Sequence, residues 1–321
     1  MRIGALGAAR ITPRALVEPA AGLSEVEVVA VAARDPARAR AFAEEHGIAR
    51  VHDSYAALLD DDELDAIYVA LPPSEHASWS IAALEAGRHV LVEKPFARNA
   101  DEALAMVEVA ERAGRVLFEA FHWRFHPLAD RLLDLSDAIR PLARGEAVFR
   151  TRIAEGDIRR SLALGGGSTM DLGCYPVHWL RTVGGEEPAV VSSKAEVRPP
   201  GVDVTLEGEL RFPSGWTARL ASSMEGPDDQ PDWWLRLEGA GGTVFVDNPC
   251  APHLGHRLVV ELAGTEPIEE VVEGGTTYAH QLVAFVAAAA GKTTPLTGGT
   301  DAVANMAVID ALYRAAGLQP R

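Results

Sequence analysis

Arg2-Ile3-Gly4-Ala5-Leu6-Gly7-Ala8-Ala9-Arg10-Ile11 opens as an apolar run that ends on a glycine and two alanines. Such a run reads as a buried strand feeding a tight turn and then a helix, not as a secretion signal, because Arg10 and Arg14 interrupt it early. Moving outward, further short apolar runs occur at Val26–Ala32, Ala66–Leu71, His89–Val92 and Val116–Glu119, with a weaker one near Arg50. Helical stretches separate them at Pro36–Glu45, Glu75–Ala86 and Asp101–Ala113, followed by Gly47, Gly87 and Gly114, each suited to a left-handed cap. The alternation predicts an α/β domain over residues 1–121, a doubly wound parallel sheet of Rossmann type.

After about Ala120 the pattern changes. A helix is expected around Leu128–Leu135, a strand near Glu146–Ile153 and a helix from about Ser168. Val202, Val204, Leu206, Gly208, Leu210 and Phe212 then alternate with Asp203, Thr205, Glu207, Glu209 and Arg211, the signature of a half-buried antiparallel strand with its polar residues facing water. Strands follow near Trp216, Leu235, Val244 and Val259, and two helices close the chain. Residues 122–321 therefore read as an α+β domain. Two domains suit a chain of 321 residues.

The net charge of −16 argues against nucleic acid and anionic membrane surfaces as partners. No run reaches the roughly 18 apolar residues of a membrane span. Two cysteines, Cys174 and Cys250, fit a reducing compartment, so a cytoplasmic location is expected, and no cluster has metal-ligand spacing.

The turn Gly7-Ala8-Ala9-Arg10-Ile11 sits where backbone N–H groups meet a pyrophosphate, with Gly7 in the first glycine position and Ala9 and Thr12 in the second and third. An ordinary strand-to-helix turn is the competing reading of so degenerate a fingerprint. At the end of the second strand, Ala33 and Arg34 stand where an NAD-selective site places an acid. A small residue leaves room for a 2′-phosphate and a guanidinium binds it, which favours NADP. Asp35 keeps NAD open, and a solvated Arg34 is the plainer alternative. The strand His89–Val92 delivers Glu93-Lys94-Pro95 to its carboxyl end, where open sheets bind ligands.

The glycine loop, Glu93-Lys94-Pro95, and Gly165-Gly166-Gly167-Ser168-Thr169-Met170-Asp171-Leu172-Gly173-Cys174-Tyr175 together resemble the Gfo/Idh/MocA oxidoreductase family. Pro72-Pro73-Ser74-Glu75-His76, the aromatic run Phe121–Pro127 and Tyr278-Ala279-His280-Gln281 support the resemblance. It implies a second domain built on a large, open, predominantly antiparallel sheet, often used for dimerisation, with the active site between the domains. It also implies cofactor contacts from Leu71, Pro72, His76 and Glu93. Where many members have a histidine, this chain has Tyr175, as in the dimeric dihydrodiol dehydrogenase, glucose-fructose oxidoreductase and xylose dehydrogenase branch. That branch acts on sugars and cyclic diols, commonly with NADP, and its tyrosine is the proposed acid/base. A homodimer or tetramer is the corresponding expectation.

The chemistry is consistent. Hydride transfer from an alcohol carbon needs an acceptor for the hydroxyl proton. A tyrosine of pKa about 10 becomes useful near neutrality when a cation such as Lys94 stands beside it. Asp171, Tyr175 and His178 are spaced to share one face of a helix, with Pro176 confined to its first turn or kinking it. Asp171 is expected to orient, and His178 to be structural or substrate-facing. His122, Arg124, Asp157 and Arg159 are candidates to line a polar substrate pocket. A regulatory dinucleotide-binding protein, or a redox-neutral sugar hydrolase or lyase with tightly bound NAD, are the competing readings.

Overall fold

The computed structural model describes residues 1–228 and 230–321. The chain gathers into two compact units: residues 1–97, 101–122 and 278–303 form the first, and residues 98–100, 123–277 and 304–321 the second. Neither is a single run of chain.

Six parallel strands make the sheet of the first unit: β1 (Arg2–Leu6), β2 (Glu27–Ala32), β3 (Arg50–His52), β4 (Ala66–Val69), β5 (His89–Val92) and β6 (Leu117–Glu119). Their spatial order is β3-β2-β1-β4-β5-β6, the doubly wound arrangement expected. Ile3, Ala5, Leu6 and all four residues of β4 are buried, because a parallel sheet with helices on its faces leaves neither side of a strand in water. Helices α1 (Glu18–Ala21), α2 (Pro36–His46), α3 (Tyr55–Leu59), α4 (Pro73–Glu85) and α5 (Ala100–Ala113) connect the strands. Asp35 caps α2 by accepting from the Ala37 N–H at 2.9 Å, and Ser54 caps α3 by accepting from Ala57 at 3.1 Å. The order of the sheet reverses between β1 and β4. That switch point is where open α/β sheets form their ligand crevice.

The second unit carries a mixed eight-stranded sheet among the described residues, in the order β14-β13-β12-β11-β7-β10-β9-β8. The strands are β7 (Leu142–Arg150), β8 (Ala189–Arg198), β9 (Val202–Arg211), β10 (Thr217–Ser223), β11 (Asp232–Gly239), β12 (Gly242–Asp247), β13 (Leu258–Leu262) and β14 (Ile268–Glu270). Among the described residues only β7 and β10 pair in parallel. Helices α6 (Pro127–Ala138) and α7 (Cys174–Gly184) contribute buried faces to this unit. On the sheet's other face, Arg219 pairs with Glu209 at 3.2 Å and Arg236 with Glu238 at 3.1 Å. Of the last two helices, α8 (Thr277–Ala289) falls in the first unit but for Thr277, and α9 (Gly299–Ala315) begins in the first unit and ends in the second.

Two strands escaped the sequence reading, β8 and β14. Both are edges of the sheet, and almost every residue of each is at least partly exposed, so neither carries the apolar alternation that betrays a strand. A third difference lies on β9. The alternation placed Asp203 on the wet face, yet it is fully buried.

Candidate active site

In the first unit, β1 delivers Gly7 to the switch point. Its N–H donates to the Ala32 carbonyl at 2.9 Å, and its φ of +105° suits only glycine. A Cβ there would lie 2.5 Å from the Ala70 carbonyl oxygen, so the turn can be this tight only without a side chain. Ala8, Ala9 and Ile11 are half-buried and Arg10 is exposed along the following turn, and Thr12 is buried, its hydroxyl 3.4 Å from the Gly7 carbonyl. The helix that follows begins with a π turn over Pro13–Val17.

At the end of β2, Ala33 is buried and Arg34 exposed, its backbone N–H donating to the Tyr55 hydroxyl at 3.1 Å. Burial raises the Tyr55 pKa, keeping the phenol neutral as an acceptor. Asp35 spends its carboxylate on the α2 cap. The sequence reading missed Arg38, one turn into α2, whose guanidinium donates to the Ala8 carbonyl at 2.9 Å. No signal for it stood in the sequence, since Arg34 precedes the extended N-cap Asp35 and no helical register relates the two arginines.

Leu71 and Pro72 follow β4 and are half-buried. His76, on α4, ties this loop to the next: Nε2 lies 2.8 Å from the Leu71 carbonyl and Nδ1 2.9 Å from the Pro95 carbonyl. Burial lowers its pKa, outweighing the two carbonyls that favour the charged ring, and Lys94 pushes the same way. Lys94-Pro95 is a cis peptide. Glu93 accepts from the Tyr68 hydroxyl at 2.5 Å. The Tyr68 phenol is driven well above its ordinary pKa by burial and then by Glu93, so it remains the donor. His122 is buried in this unit with its ring 4.2 Å from that of Tyr278.

Within the second unit, Gly165-Gly166-Gly167 leads into a π turn at Thr169–Gly173, which passes directly into α7. Asp171 is in the π turn, while Tyr175 and His178 are in α7. The spacing that the sequence offers for one helix thus runs across a π-to-α junction, with Asp171 before it and Tyr175 and His178 after it. Pro176 falls in the first turn of α7, directly after the π turn. Asp171 receives the Arg159 Nε at 2.8 Å, and Arg159 also reaches Asp157 at 3.2 Å. Asp171 first and Asp157 second raise the Arg159 pKa and keep the guanidinium charged. Asp157 in addition accepts from the Arg159 backbone N–H at 3.0 Å. Arg124 pairs instead with Asp130 at 3.3 Å, away from this group of three.

Tyr175 is 4% exposed, its ring 5.5 Å from Phe149 and 6.0 Å from Trp179. His178 is 1% exposed and its Nδ1 accepts from the Trp123 indole N–H at 3.0 Å, which leaves the neutral ring with its proton on Nε2. Cys174 and Cys250 are both buried, and the Cys174 thiol donates to the Asp171 carbonyl at 3.6 Å. Among the described residues, no group of three or more histidines, cysteines or carboxylates could hold a metal ion, and no helix is long and apolar enough to cross a membrane.

Comparison with known proteins agrees with this architecture. Residues 1–121 match the family model described as an oxidoreductase family with an NAD-binding Rossmann fold, and residues 141–246 match the Gfo/Idh/MocA C-terminal domain. The chain is 38% identical over 322 residues to D-xylose 1-dehydrogenase (NADP(+)) 2 of Haloferax volcanii, covering 98% of this chain and 97% of that protein. Aldose-aldose oxidoreductase from Caulobacter crescentus, solved with glycerol, superposes with a TM-score of 0.90 at 26% identity, covering 99% and 97% of the two chains. A 3-ketoreductase from Actinomadura kijaniata in complex with NADP and TDP-benzene gives 0.89 at 27% identity, covering 98% and 97%. With its switch-point glycine loop and both family models matched, the chain belongs to the Gfo/Idh/MocA oxidoreductase family.

Proposed function

We propose that this NAD(P)-dependent oxidoreductase exchanges a hydride between NADP and a sugar, cyclic diol or keto-sugar, with Tyr175 as the proton donor or acceptor and Lys94 assisting. The observation that carries the cofactor half is the switch point: a glycine-only turn at Gly7, with Arg34 and Arg38 on the rim and Arg38 bonded to the Ala8 carbonyl. These residues fit a dinucleotide. Backbone N–H groups of residues 8–11 would face the pyrophosphate, the small Ala33 would leave room for the 2′-phosphate, and Arg34 and Arg38 would neutralise it. Leu71, Pro72, His76 and Glu93 would complete the cofactor side. Bound NADP(H) supplies the hydride exchange at its nicotinamide ring.

In oxidation the protein must take the substrate's hydroxyl proton, and Tyr175 is the group assigned. Its ring is buried against Phe149 and Trp179. A charged Lys94 would bias that phenol towards ionisation. Asp171, ion-paired to Arg159, serves orientation, while His122, Arg124, Asp157, Arg159 and His178 are assigned to the substrate side. The sugar class rests on the relatives, above all the xylose dehydrogenase. A cytosolic homo-oligomer is part of the same proposal.

The test is nicotinamide absorbance in a panel of aldoses, cyclic diols and keto-sugars, with NADP and NAD, in both directions. Turnover that disappears in Tyr175→Phe, with NADP binding retained, is expected. Tight cofactor binding with no turnover across the panel would sink the dehydrogenase reading.

A further inference from the structure

We propose that Arg321 is a positioning residue for the turn that carries Asp171 and Tyr175, acting through the buried carboxylate of Asp203. The proposal rests on Tyr175 as the acid/base.

An isolated carboxylate buried on β9 would cost several kcal/mol, so its partners define what the site is for. One oxygen of Asp203 accepts from the Ser168 hydroxyl at 3.0 Å, the Thr169 N–H at 2.9 Å and the Thr169 hydroxyl at 2.7 Å. The other accepts from the Tyr313 hydroxyl at 2.9 Å and from Arg321 Nη2. Three of the five donors thus belong to the two residues that open the π turn before Tyr175.

Arg321 grips the same segment a second time. Its Nε donates to the Gly166 carbonyl at 3.0 Å, while its guanidinium carbon lies 4.3 Å from the centre of the Tyr313 ring. Its side chain is 5% exposed, and its own backbone carbonyl accepts from Asn99 Nδ2 at 2.7 Å. Between the two grips sits Gly167 at φ +143°, where a side chain would run into Asp203 and the Tyr313 hydroxyl. The Gly167 N–H donates to the Arg159 carbonyl at 2.9 Å, and Arg159 holds Asp171. One guanidinium therefore braces the triple-glycine loop at one end and, through Asp203, the start of the π turn at the other. Glycines give this loop no stiffness of their own, so the brace must come from outside it.

Charge neutralisation and positioning separate in the substitution Arg321→Lys. An ammonium can neutralise Asp203 but lacks the planar fork that reaches Asp203 and Gly166 together. Thermal stability is expected to return close to that of the unmodified protein in Arg321→Lys, with turnover still reduced roughly 10- to 100-fold and the KM for NADP unchanged, as befits a proton donor held slightly out of place. Arg321→Ala combined with Asp203→Asn keeps the site neutral and guards against failure to fold; the same loss of kcat is expected. Adding Tyr175→Phe to Arg321→Lys should lower turnover no further than Tyr175→Phe alone. Turnover recovering together with stability in Arg321→Lys, or full turnover in the folded neutral pair, overturns the brace. Undiminished turnover in Tyr175→Phe alone would instead remove the acid/base assignment beneath it.

Discussion

The cofactor loop and the turn before Tyr175 are both glycine-rich and both feed a helix, yet they are held in opposite ways. At Gly7 the geometry is local: a positive φ, one backbone hydrogen bond to Ala32 and the Ala70 carbonyl closing the space. At Gly165–Thr169 it is remote, since Asp203, Tyr313 and Arg321 lie 34 or more residues along the chain. A loop that grips a pyrophosphate with its backbone needs only the right dihedral angles. A turn that presents one phenol must be fixed from outside.

Substitutions can break this contrast. The largest effect is expected at Tyr175→Phe, a loss of roughly 10²- to 10⁴-fold in turnover, the usual range for one acid/base group, with little change in NADP affinity by fluorescence titration. Gly7→Val should do the reverse. It strains the turn by about 1–3 kcal/mol and fills the cradle, so NADP affinity falls at least tenfold while the fold of the second unit, followed by its tryptophan fluorescence, is unchanged. Wild-type affinity in that variant would mean the loop is not the phosphate site.

Smaller differences are expected on the rim. Arg34→Ala and Arg38→Ala should each weaken NADP by roughly 10-fold or more relative to NAD, as expected for a charge-assisted bond of about 1.5–3 kcal/mol. Equal losses for both cofactors would remove the argument for 2′-phosphate recognition. The smallest effect concerns His76. Its folded pKa is depressed, so its stability contribution is complete above the unfolded value near 6.5 and is lost as pH falls from there through the folded pKa. His76→Asn should flatten the fall in Tm below pH about 6.5. An unchanged acid limb would show that His76 does not govern it.

The same contrast governs what could be read in the sequence. The inner strands of the first sheet were legible, because strands buried on both faces show as apolar runs between helices, while the half-buried edge strand β3, Arg-Val-His, showed only weakly. Gly7, Lys94 and Tyr175 were legible as contiguous motifs. Arg38 was overlooked because its bond to Ala8 depends on where α2 begins. Asp203 was misplaced because alternation on β9 assigns one face to water and cannot know that Ser168, Thr169 and Tyr313 cover it. β8 and β14 left no pattern, since an exposed edge has no core to face.

Both functional helices begin with a π turn, Pro13–Val17 after the cofactor loop and Thr169–Gly173 before Tyr175. Such a turn holds one residue more than its α-helical counterpart over about the same sweep, so the extra residue is absorbed where it sits. Deleting Leu172 would let the segment relax to α with little change in the heading of α7, so the loss would be felt first inside the turn, where Asp171 meets Arg159. The π turn thus works as slack in the chain, letting the segment that bears Asp171 carry one more residue while the helix that bears Tyr175 keeps its heading.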